Sequence, residues 1–252
     1  MVIGVVLAGR ANRKALAQVA PDVAWEALVP IAGRPMGGYV VAALAGARSV
    51  DRVVVAGPAA LGVGRAEVVA PGERVTDTLQ AALAAASPAP DDEVVIAAGD
   101  APLLSAAAVE ELLATCRRRG LAFGYPIVSR RDCEARFPGV RRTYVRLREG
   151  AFTGGNLFYV QARVMPRCVE LLEWVHANRK HPLRLAGMLG WGTVLALATG
   201  TARLARVERA GSRVLGAPAA AVPMRDAGVG VDVDDAGDLE LCRAALGAPR
   251  NA

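Results

Sequence analysis

Several residue types that mark particular protein classes are scarce in this chain of 252 residues. Aromatic residues make up 4% of the chain, and there are two histidines. No run reaches the roughly 18 uncharged apolar residues that a membrane-spanning helix needs, so we predict no such helix. The apolar run Met1–Ala8 has neither a basic segment before it nor a cleavage site after it. We therefore predict no secretory signal peptide and expect a cytoplasmic protein.

Cysteine is sparse as well, and its spacing excludes two kinds of site. The chain has four cysteines, and no two of them form a Cys-x-x-Cys pair. This pattern predicts neither a zinc site nor a disulfide framework, so reduced thiols are the expectation. What the chain has in abundance is apolar residues, at 53%, which is typical of a folded enzyme rather than a disordered protein.

Charge of one sign is concentrated in arginine. The net charge is +6, and the segment from Arg117 to Arg148 holds ten arginines against two acidic residues, Asp132 and Glu134. A positive field of this kind suits phosphorylated ligands, although an arginine-rich surface in contact with water alone is an equally ordinary explanation. The aromatic residues in this region are irregularly spaced, so we expect no nucleic-acid partner.

Apolar runs and helical segments alternate along the chain. Strands that are apolar throughout are typical of a sheet covered on both faces. The pattern predicts an α/β fold: a three-layer, Rossmann-like, mostly parallel sheet with helices on both faces. The predicted strands are Val2–Leu7, Arg52–Ala56, Val94–Ala98, Ala122–Pro126 and Gly155–Val160, and the predicted helices are Met36–Ala47, Thr76–Ala86, Ala106–Arg119, Val164–Asn178 and Asp235–Ala245.

Two segments interrupt this alternation. Residues from about 129 to 150 are arginine-rich and polar, and we interpret them as an insertion over one edge of the sheet. Residues from about 180 to 216 are interpreted as a helical insertion with one strand near Arg203–Glu208. No linker or repeat divides the chain, so we predict a single domain over residues 1–252.

The end of the first strand carries the first candidate site. The strand continues into Ala8-Gly9-Arg10, and Lys14 follows four residues later. A glycine lets backbone N–H groups approach a phosphate chain closely, and cationic side chains neutralise its charge. The further glycines of a dinucleotide-binding fingerprint are missing, which excludes that motif.

A second candidate site follows the strand that ends at Ala98. Asp100 lies just beyond it, at the carboxyl edge of the predicted sheet, where open α/β folds bind their ligands. A carboxylate there could hold Mg²⁺, which prefers one or two carboxylates together with phosphate oxygens. A helix cap or a turn is the alternative role for this aspartate.

Three further segments complete the set. Gly33-Arg34-Pro35-Met36 precedes an apolar helix, and a Gly-Gly-Asn turn places Asn156 before a strand. Near the C-terminus, Asp232 and Asp234 alternate and would share one face of an extended segment, so that they form a second candidate arm of a metal site.

Taken in this order, the five segments resemble the nucleotidyltransferase superfamily with the GT-A-like fold, especially the molybdenum-cofactor guanylyltransferases (MobA-like NTP transferases) and, more distantly, the methylerythritol-phosphate cytidylyltransferases. The resemblance runs from Val2 to about Leu246. It implies transfer of a nucleoside monophosphate from a nucleoside triphosphate (NTP) to a phosphorylated small-molecule acceptor, with release of pyrophosphate. It also implies Mg²⁺ as the cofactor.

The resemblance also implies roles for individual residues. Lys14, Arg10 and Asp100 are the expected catalytic residues, and Asp100, Asp232 and Asp234 are the expected metal ligands. The expected nucleotide-binding residues are Leu7, Ala8, Gly9, Arg34, Arg74, Thr76 and Thr78. Polarity and placement suggest acceptor contacts at Asn156, Arg141, Arg142 and Lys180.

Two positions depart from the superfamily pattern. Arg10 stands where a second glycine is usual, and Glu26 stands where a phosphate-binding lysine usually precedes the Leu-x-Pro-Ile segment. A carboxylate facing a triphosphate is unfavourable unless it binds a metal or pairs with an arginine. Either Glu26 is turned away and Lys14 acts in its place, or binding of the triphosphate is weakened.

Other functions remain open at this point. A nucleotide-sugar glycosyltransferase of the same fold would use Asp232 and Asp234 as its Asp-x-Asp motif. A catalytically inactive relative would bind a nucleotide or phosphometabolite as a regulator, and Glu26 favours that alternative. The residue pattern favours none of CTP, GTP, ATP and UTP. We expect no membrane partner, and either a monomer or a homodimer.

Overall fold

The computed structural model describes residues 1–13, 15–61, 64, 66–140, 142–178 and 180–247. These residues form a mixed, mostly parallel sheet of nine strands with helices on both faces, together with a separate two-stranded pair. The predicted α/β, Rossmann-like fold class is therefore confirmed. None of the helices among these residues is long and apolar enough to cross a membrane.

Nine of the described strands belong to one sheet, in the order β5-β4-β1-β6-β10-β7-β9-β8, with β11 beside β7. Strands β5, β4, β1 and β6 are parallel, β10 runs antiparallel between β6 and β7, and β2 pairs with β3 apart from the sheet. The strands are β1 (Val2–Leu7), β2 (Pro30–Ile31), β3 (Arg34–Pro35), β4 (Arg52–Ala56), β5 (Glu67–Val69), β6 (Glu93–Ala98), β7 (Phe123–Ser129), β8 (Val145–Leu147), β9 (Gly150–Gly154), β10 (Leu157–Gln161) and β11 (Ala219–Met224).

The helices fall between the strands, as the alternating pattern predicts. They are α1 (Ala15–Val19), α2 (Met36–Gly46), α3 (Val75–Ala86), α4 (Ala106–Arg118), α5 (Arg130–Arg136), α6 (Met165–Ala177), α7 (Pro182–Leu189), α8 (Trp191–Ala198), α9 (Leu204–Leu215) and α10 (Ala236–Gly247). Short 3₁₀ turns occur at Glu26–Leu28, Ala59–Leu61, Ala162–Val164 and Ala227–Gly230.

Local sequence signals account for several of these boundaries. The Ser105 hydroxyl accepts a hydrogen bond from the backbone N–H of Ala108 at 3.1 Å and so caps the start of α4. Gly216 follows α9 with a φ of +76°, a left-handed conformation that glycine adopts without strain. The predicted strands Val2–Leu7 and Arg52–Ala56 have the bounds of β1 and β4.

The predicted strand near Arg203–Glu208 is wrong, because these residues lie at the start of α9. Over six residues the Leu/Val spacing resembles a strand, but Leu204, Val207 and the buried Ala210 repeat at helical spacing over the longer segment. The arginine-rich segment forms α5, β8 and β9, and β9 extends the sheet beside β7.

The sheet separates two apolar clusters. On one face, side chains of α2, α4 and α10 pack against alternate strand residues such as Val6 and Val95. On the other face, Leu79 and Ala82 of α3 and Met165 of α6 pack against Ile3, Val5 and their neighbours. The carboxyl ends of β1, β4 and β6 thus share one edge of a sheet whose two faces are covered, and the loops after them form the candidate site.

Candidate active site

Backbone hydrogen bonds hold the loops at the carboxyl edge of the sheet side by side. The N–H of Ala8 donates to the carbonyl of Ala56 at 2.8 Å, and the N–H of Gly99 donates to the carbonyl of Leu7 at 2.9 Å. A Cβ on Gly99 would lie 2.9 Å from the Cβ of Ala8, so the loops after β1 and β6 need glycine to approach this closely.

Gly9 brings the first loop against the start of α3. A Cβ at this position would overlap the ring of Pro71 and lie 3.1 Å from the Thr78 hydroxyl. The Thr78 hydroxyl donates to the carbonyl of Gly72 at 3.3 Å and so holds the loop before α3. The structure therefore brings together the segments Leu7–Gly9 and Arg74–Thr78, both of which were predicted to contact the nucleotide.

The three predicted side chains on this helix differ in exposure. Thr76 and Thr78 are buried, whereas the Arg74 side chain is 58% exposed. Arg74 pairs with Asp77 at 2.7 Å, and the Asp77 carboxylate also accepts a hydrogen bond from the backbone N–H of Arg74 at 3.2 Å, so Asp77 caps the start of α3. Of the three side chains, Arg74 is the one that a ligand in solution can reach.

Asp100 lies at the centre of the carboxyl edge. Its carbonyl accepts a hydrogen bond from the N–H of Val233 at 2.9 Å, which brings the segment carrying Asp232 and Asp234 next to it. Burial and the negative charge of Asp232 raise the pKa of the Asp100 carboxyl, against the opposing effect of Arg10. Within the described part of the chain, its buried Oδ1 has no hydrogen-bond partner.

Arg10 contacts carboxylates from three other segments. Its guanidinium lies 3.1 Å from Glu26, 3.3 Å from Asp100 and 3.2 Å from Asp234. Burial alone would lower the pKa of Arg10, but the three negative charges outweigh it, so the pKa is raised. The N–H of Glu26 also donates to the carbonyl of Arg10 at 3.0 Å, so the two departures from the superfamily pattern are neighbours.

A second arginine holds the other aspartates. Arg142, with a side chain only 10% exposed, donates to Oδ1 of Asp232 at 2.7 Å, to the carbonyl of Asp232 at 3.1 Å and to Asp238 at 3.1 Å. Burial raises the pKa of Asp238, and the charge of Arg142 opposes the rise. Arg142 therefore fixes the orientation of Asp232. Sequence reasoning missed the contact of Asp238 with Arg142, which joins residues 96 positions apart.

Asn156 joins the end of β6 to the segment before Asp232. Its carbonyl accepts a hydrogen bond from Ala98 at 3.0 Å, and its own N–H donates to the carbonyl of Val229 at 2.9 Å. The predicted acceptor residue thus lies at the same edge as Asp100. The contacts of this side chain are partly structural, because its Nδ2 also faces the Val229 carbonyl at 3.5 Å.

The remaining predicted residues lie apart from this cluster or outside the described residues. Arg34 donates to the carbonyl of Gly38, and its guanidinium lies 4.9 Å from the centre of the Tyr39 ring. These contacts stabilise the start of α2. Lys180 is exposed in the turn between α6 and α7. Lys14 and Arg141 lie outside the described residues.

The donor set supports a partial rather than a complete metal site. Among the described residues, no three His, Cys, Asp or Glu side chains converge as a closed metal cluster. Mg²⁺ does not need one, because it is bound by one or two carboxylates together with water and substrate phosphates. The buried, unpartnered Oδ1 of Asp100 fits such a site.

Comparisons with known proteins give the same answer about the fold. The family model described as MobA-like NTP transferase domain matches residues 4–214. A hypothetical transferase from Thermus thermophilus is 36% identical, with a TM-score of 0.83 over 94% of this chain and 98% of that one. The 2-C-methyl-D-erythritol 4-phosphate cytidylyltransferase from the same organism is 16% identical, with a TM-score of 0.54 over 98% of this chain and 100% of that one, which shows the fold alone. A search of curated protein sequences finds no match.

Proposed function

The chain belongs to the family with a MobA-like NTP transferase domain, and from this premise we propose that it is a cytoplasmic, Mg²⁺-dependent nucleotidyltransferase. It moves a nucleoside monophosphate from an NTP to a phosphorylated small molecule and releases pyrophosphate. The observation that carries the proposal is the buried Asp100 carboxylate, with an unpartnered oxygen, at the edge where the glycine loop of β1 and the Asp232–Asp234 segment meet.

In this reaction an oxygen of the acceptor phosphate attacks the α-phosphorus of the NTP. The bond from the α-phosphorus to the bridging oxygen breaks, and that oxygen leaves with the electron pair as part of pyrophosphate. Catalysis of this kind depends on positioning and on neutralising negative charge. Asp100, Asp232 and Asp234 would hold Mg²⁺, which when bound neutralises charge on the reacting phosphates.

The other residues would bind and orient the substrates. Leu7, Ala8 and Gly9 would contact the base and ribose, with Arg74 at the rim. Arg10, whose side chain is 53% exposed, would exchange its contacts with Asp100 and Asp234 for the leaving pyrophosphate. Lys14 would add a second cation. Arg142, which is buried against Asp232, would position that ligand rather than contact the acceptor.

The Arg10–Glu26 pair supports activity despite the departures from the superfamily pattern. A carboxylate at position 26 would repel a triphosphate if it faced the ligand. Glu26 is instead 6% exposed, and its Oε2 lies 3.1 Å from the Arg10 guanidinium. The arginine at one unusual position thus compensates the charge at the other.

The same arginine also supports the competing function, a nucleotide-binding regulator without catalysis. Arg10 bridges Asp100 and Asp234 and so neutralises two carboxylates that a metal would need. If this bridge persisted when nucleotide bound, the protein would bind an NTP without transferring its nucleotide.

Pyrophosphate release separates the two functions. Each of the four NTPs is incubated with Mg²⁺ and a pool of phosphorylated metabolites, and pyrophosphate is measured for wild type, Asp100→Asn and the control Asp235→Asn. Asp235 is exposed and caps α10 through Oδ1, which asparagine retains, so this control removes one nearby charge without touching the site.

Release confined to one NTP, reduced about 10²–10³-fold in Asp100→Asn and close to wild type in Asp235→Asn, is the expected result. Equal release by all three proteins would remove Asp100 from the mechanism. A thermal shift with one NTP but no pyrophosphate from any of them would favour the regulator.

A further inference from the structure

The second face of the sheet contains a cavity that the transfer reaction does not explain. Helices α3, α6 and α9 leave a space of about 530 Å³ above the strands. Pockets that hold small molecules range from about 300 to 1,000 Å³, so this volume is sufficient for a ligand. Its lining includes Phe158 of β10, Leu172 of α6, Gly211 of α9 and Ala221 of β11.

The lining is almost entirely hydrocarbon. Glu208 is the one charged side chain among the described lining residues, and it is paired with Arg119 at 3.0 Å. The hydroxyl of Tyr125 adds one polar group. A peptide in this space would leave its backbone N–H and C=O groups without hydrogen-bond partners, which costs free energy, whereas a hydrocarbon chain has no such groups.

One end of the cavity reaches the candidate active site. Leu7, which lines the cavity, is the last residue of β1 and directly precedes the Ala8-Gly9 loop. Tyr125 lines it too, stacked on Phe158 with ring centres 5.4 Å apart. The Tyr125 hydroxyl lies against Gly154 at the end of β9, and a Cβ built on Gly230, two residues before Asp232, would lie 3.7 Å from the carbonyl oxygen of Gly154.

Gly154 gives the Tyr125 hydroxyl the room to lie at this end. A Cβ on Gly154 would overlap the phenol oxygen, so any larger residue would displace the ring. The apolar cavity and the carboxylate cluster are therefore adjacent compartments, with Leu7 and Tyr125 between them.

We propose that this cavity holds the hydrocarbon part of the acceptor, which is a phosphomonoester with an alkyl or isoprenoid chain. The phosphate would lie at the carboxylate cluster and the chain would extend past Leu7 and Tyr125 between α6 and α9. The identity of the phosphate as the reacting group rests on the proposed function. The binding of the chain rests on the cavity alone.

Binding of n-alkyl phosphates tests the proposal without any NTP. Dissociation constants are measured by calorimetry for chains of increasing length, below their micelle-forming concentrations. Burial of each additional methylene is expected to tighten binding about fourfold until the cavity is full, after which the affinity levels off. Affinity that does not change with chain length from the first member would overturn the proposal.

A variant that fills the cavity locates the binding site. A Cβ on Gly211 meets no atom within 4 Å, so Gly211→Phe can project a ring into the space, and Gly211→Ala is the matched control that leaves most of it open. We expect Gly211→Phe to weaken binding of the longest chain at least about tenfold, and Gly211→Ala to bind close to wild type. Ala221→Leu, which fills the space from the strand side, replaces Gly211→Phe if that variant does not fold.

The outcomes separate this proposal from the proposed function. Chain-length-dependent binding that Gly211→Phe abolishes, without pyrophosphate from any NTP when the same alkyl phosphates are supplied as acceptors with Mg²⁺, would support the cavity and contradict the transferase. Pyrophosphate release with polar acceptors, together with equal binding of long and short chains, would support the transferase and contradict the cavity as an acceptor site. Equal binding of long chains by Gly211→Phe, Ala221→Leu and wild type would contradict the cavity as the site.

Discussion

The candidate active site contains two arginine–carboxylate clusters that differ in burial. Arg142 is 10% exposed and contacts Asp232 and Asp238 at 2.7 and 3.1 Å. The Arg10 side chain is 53% exposed and contacts three carboxylates at 3.1–3.3 Å. Short contacts in a buried setting fix a framework, whereas longer contacts at a solvated side chain can be exchanged for a ligand. From this comparison we expect Arg142 to position Asp232 and Arg10 to contact the ligand.

Removing the buried arginine is expected to have the largest effect. Arg142→Met leaves Asp232 and Asp238 without their common partner, and loss of one member of a buried ion pair typically costs about 3–5 kcal/mol of unfolding free energy. Urea denaturation measures it. The control Arg130→Met breaks the exposed pair with Glu134, 56% and 51% exposed, and should cost less than about 1 kcal/mol. If the two variants lost equal unfolding free energy, Arg142 would stabilise the fold no more than an exposed surface arginine does.

Removing the exposed arginine is expected to change activity more than stability. Arg10→Met should lower the unfolding free energy by about 1–2 kcal/mol, less than Arg142→Met does, because the Arg10 side chain is half exposed although two of its partners, Glu26 and Asp100, are largely buried. Loss of a charged hydrogen bond to the leaving group, about 1.5–3 kcal/mol, should lower kcat/KM for the NTP roughly 10- to 100-fold. Pyrophosphate kinetics and denaturation of the same sample test both parts, and a variant that unfolds readily but keeps its kcat/KM would reverse the assignment.

Substitutions of Asp100 and Asp232 are expected to change the unfolding free energy with opposite signs. Asp100 carries a buried charge with an unpartnered oxygen, so Asp100→Asn should stabilise the fold by about 0.5–2 kcal/mol while it lowers activity. Asp232→Asn removes a charged partner of Arg142 and should destabilise the fold by about 1–3 kcal/mol. Thermal and urea unfolding measure the change in unfolding free energy of each variant. If both variants were less stable than wild type, the Asp100 carboxylate would stabilise the fold.

A third ion pair, between Arg117 and Glu93, lies at the opposite edge of the sheet and should make the stability of the fold depend on pH. Burial alone would raise the pKa of Glu93, but hydrogen bonds from Arg117 and Tyr159 outweigh it and lower the pKa. The stability from this carboxylate is therefore full above its ordinary pKa of 4.5 and is lost as the pH falls through the lower folded-state value.

Glu93→Gln should lower the unfolding free energy by about 1 kcal/mol at neutral pH. The variant should also lose less stability than wild type as the pH falls. Free energies of unfolding from about pH 3 to pH 7 provide the measurement. If the unfolding free energy of the variant fell with pH as steeply as that of wild type, carboxylates other than Glu93 would be responsible for the loss of stability in acid.

Local signals predicted much of the fold. The apolar strands and the caps of the helices depend on residues within one or two turns, so the bounds of β1 and β4 agree with prediction and α4 differs by one residue. The strand assigned near Arg203–Glu208 failed because six residues are too few to separate a period of 2 from one of 3.6. Asp100 at the end of a buried strand was predictable for the same local reason.

The contacts within the site were not predictable in this way. Arg10 and Glu26 each looked unusual alone, and their pairing depends on how the segments at residues 10–12 and 24–26 run beside each other. Arg142 meets Asp232 across 90 residues of sequence, and its burial favours a positioning role over the acceptor contact predicted for it. The apolar cavity depends on the spacing of α6 and α9 over the sheet, which no single segment encodes.

Residue periodicity and motifs a few residues long were enough to establish the α/β class, the order of the glycine and aspartate segments, and the family to which the chain belongs. The assembled fold was needed to show which carboxylate each arginine neutralises, which aspartate keeps an unpartnered oxygen, and where an apolar compartment opens beside the site. The physical reason is that burial and charge pairing arise between segments distant in the chain, and these meet only when the sheet and its helices have assembled.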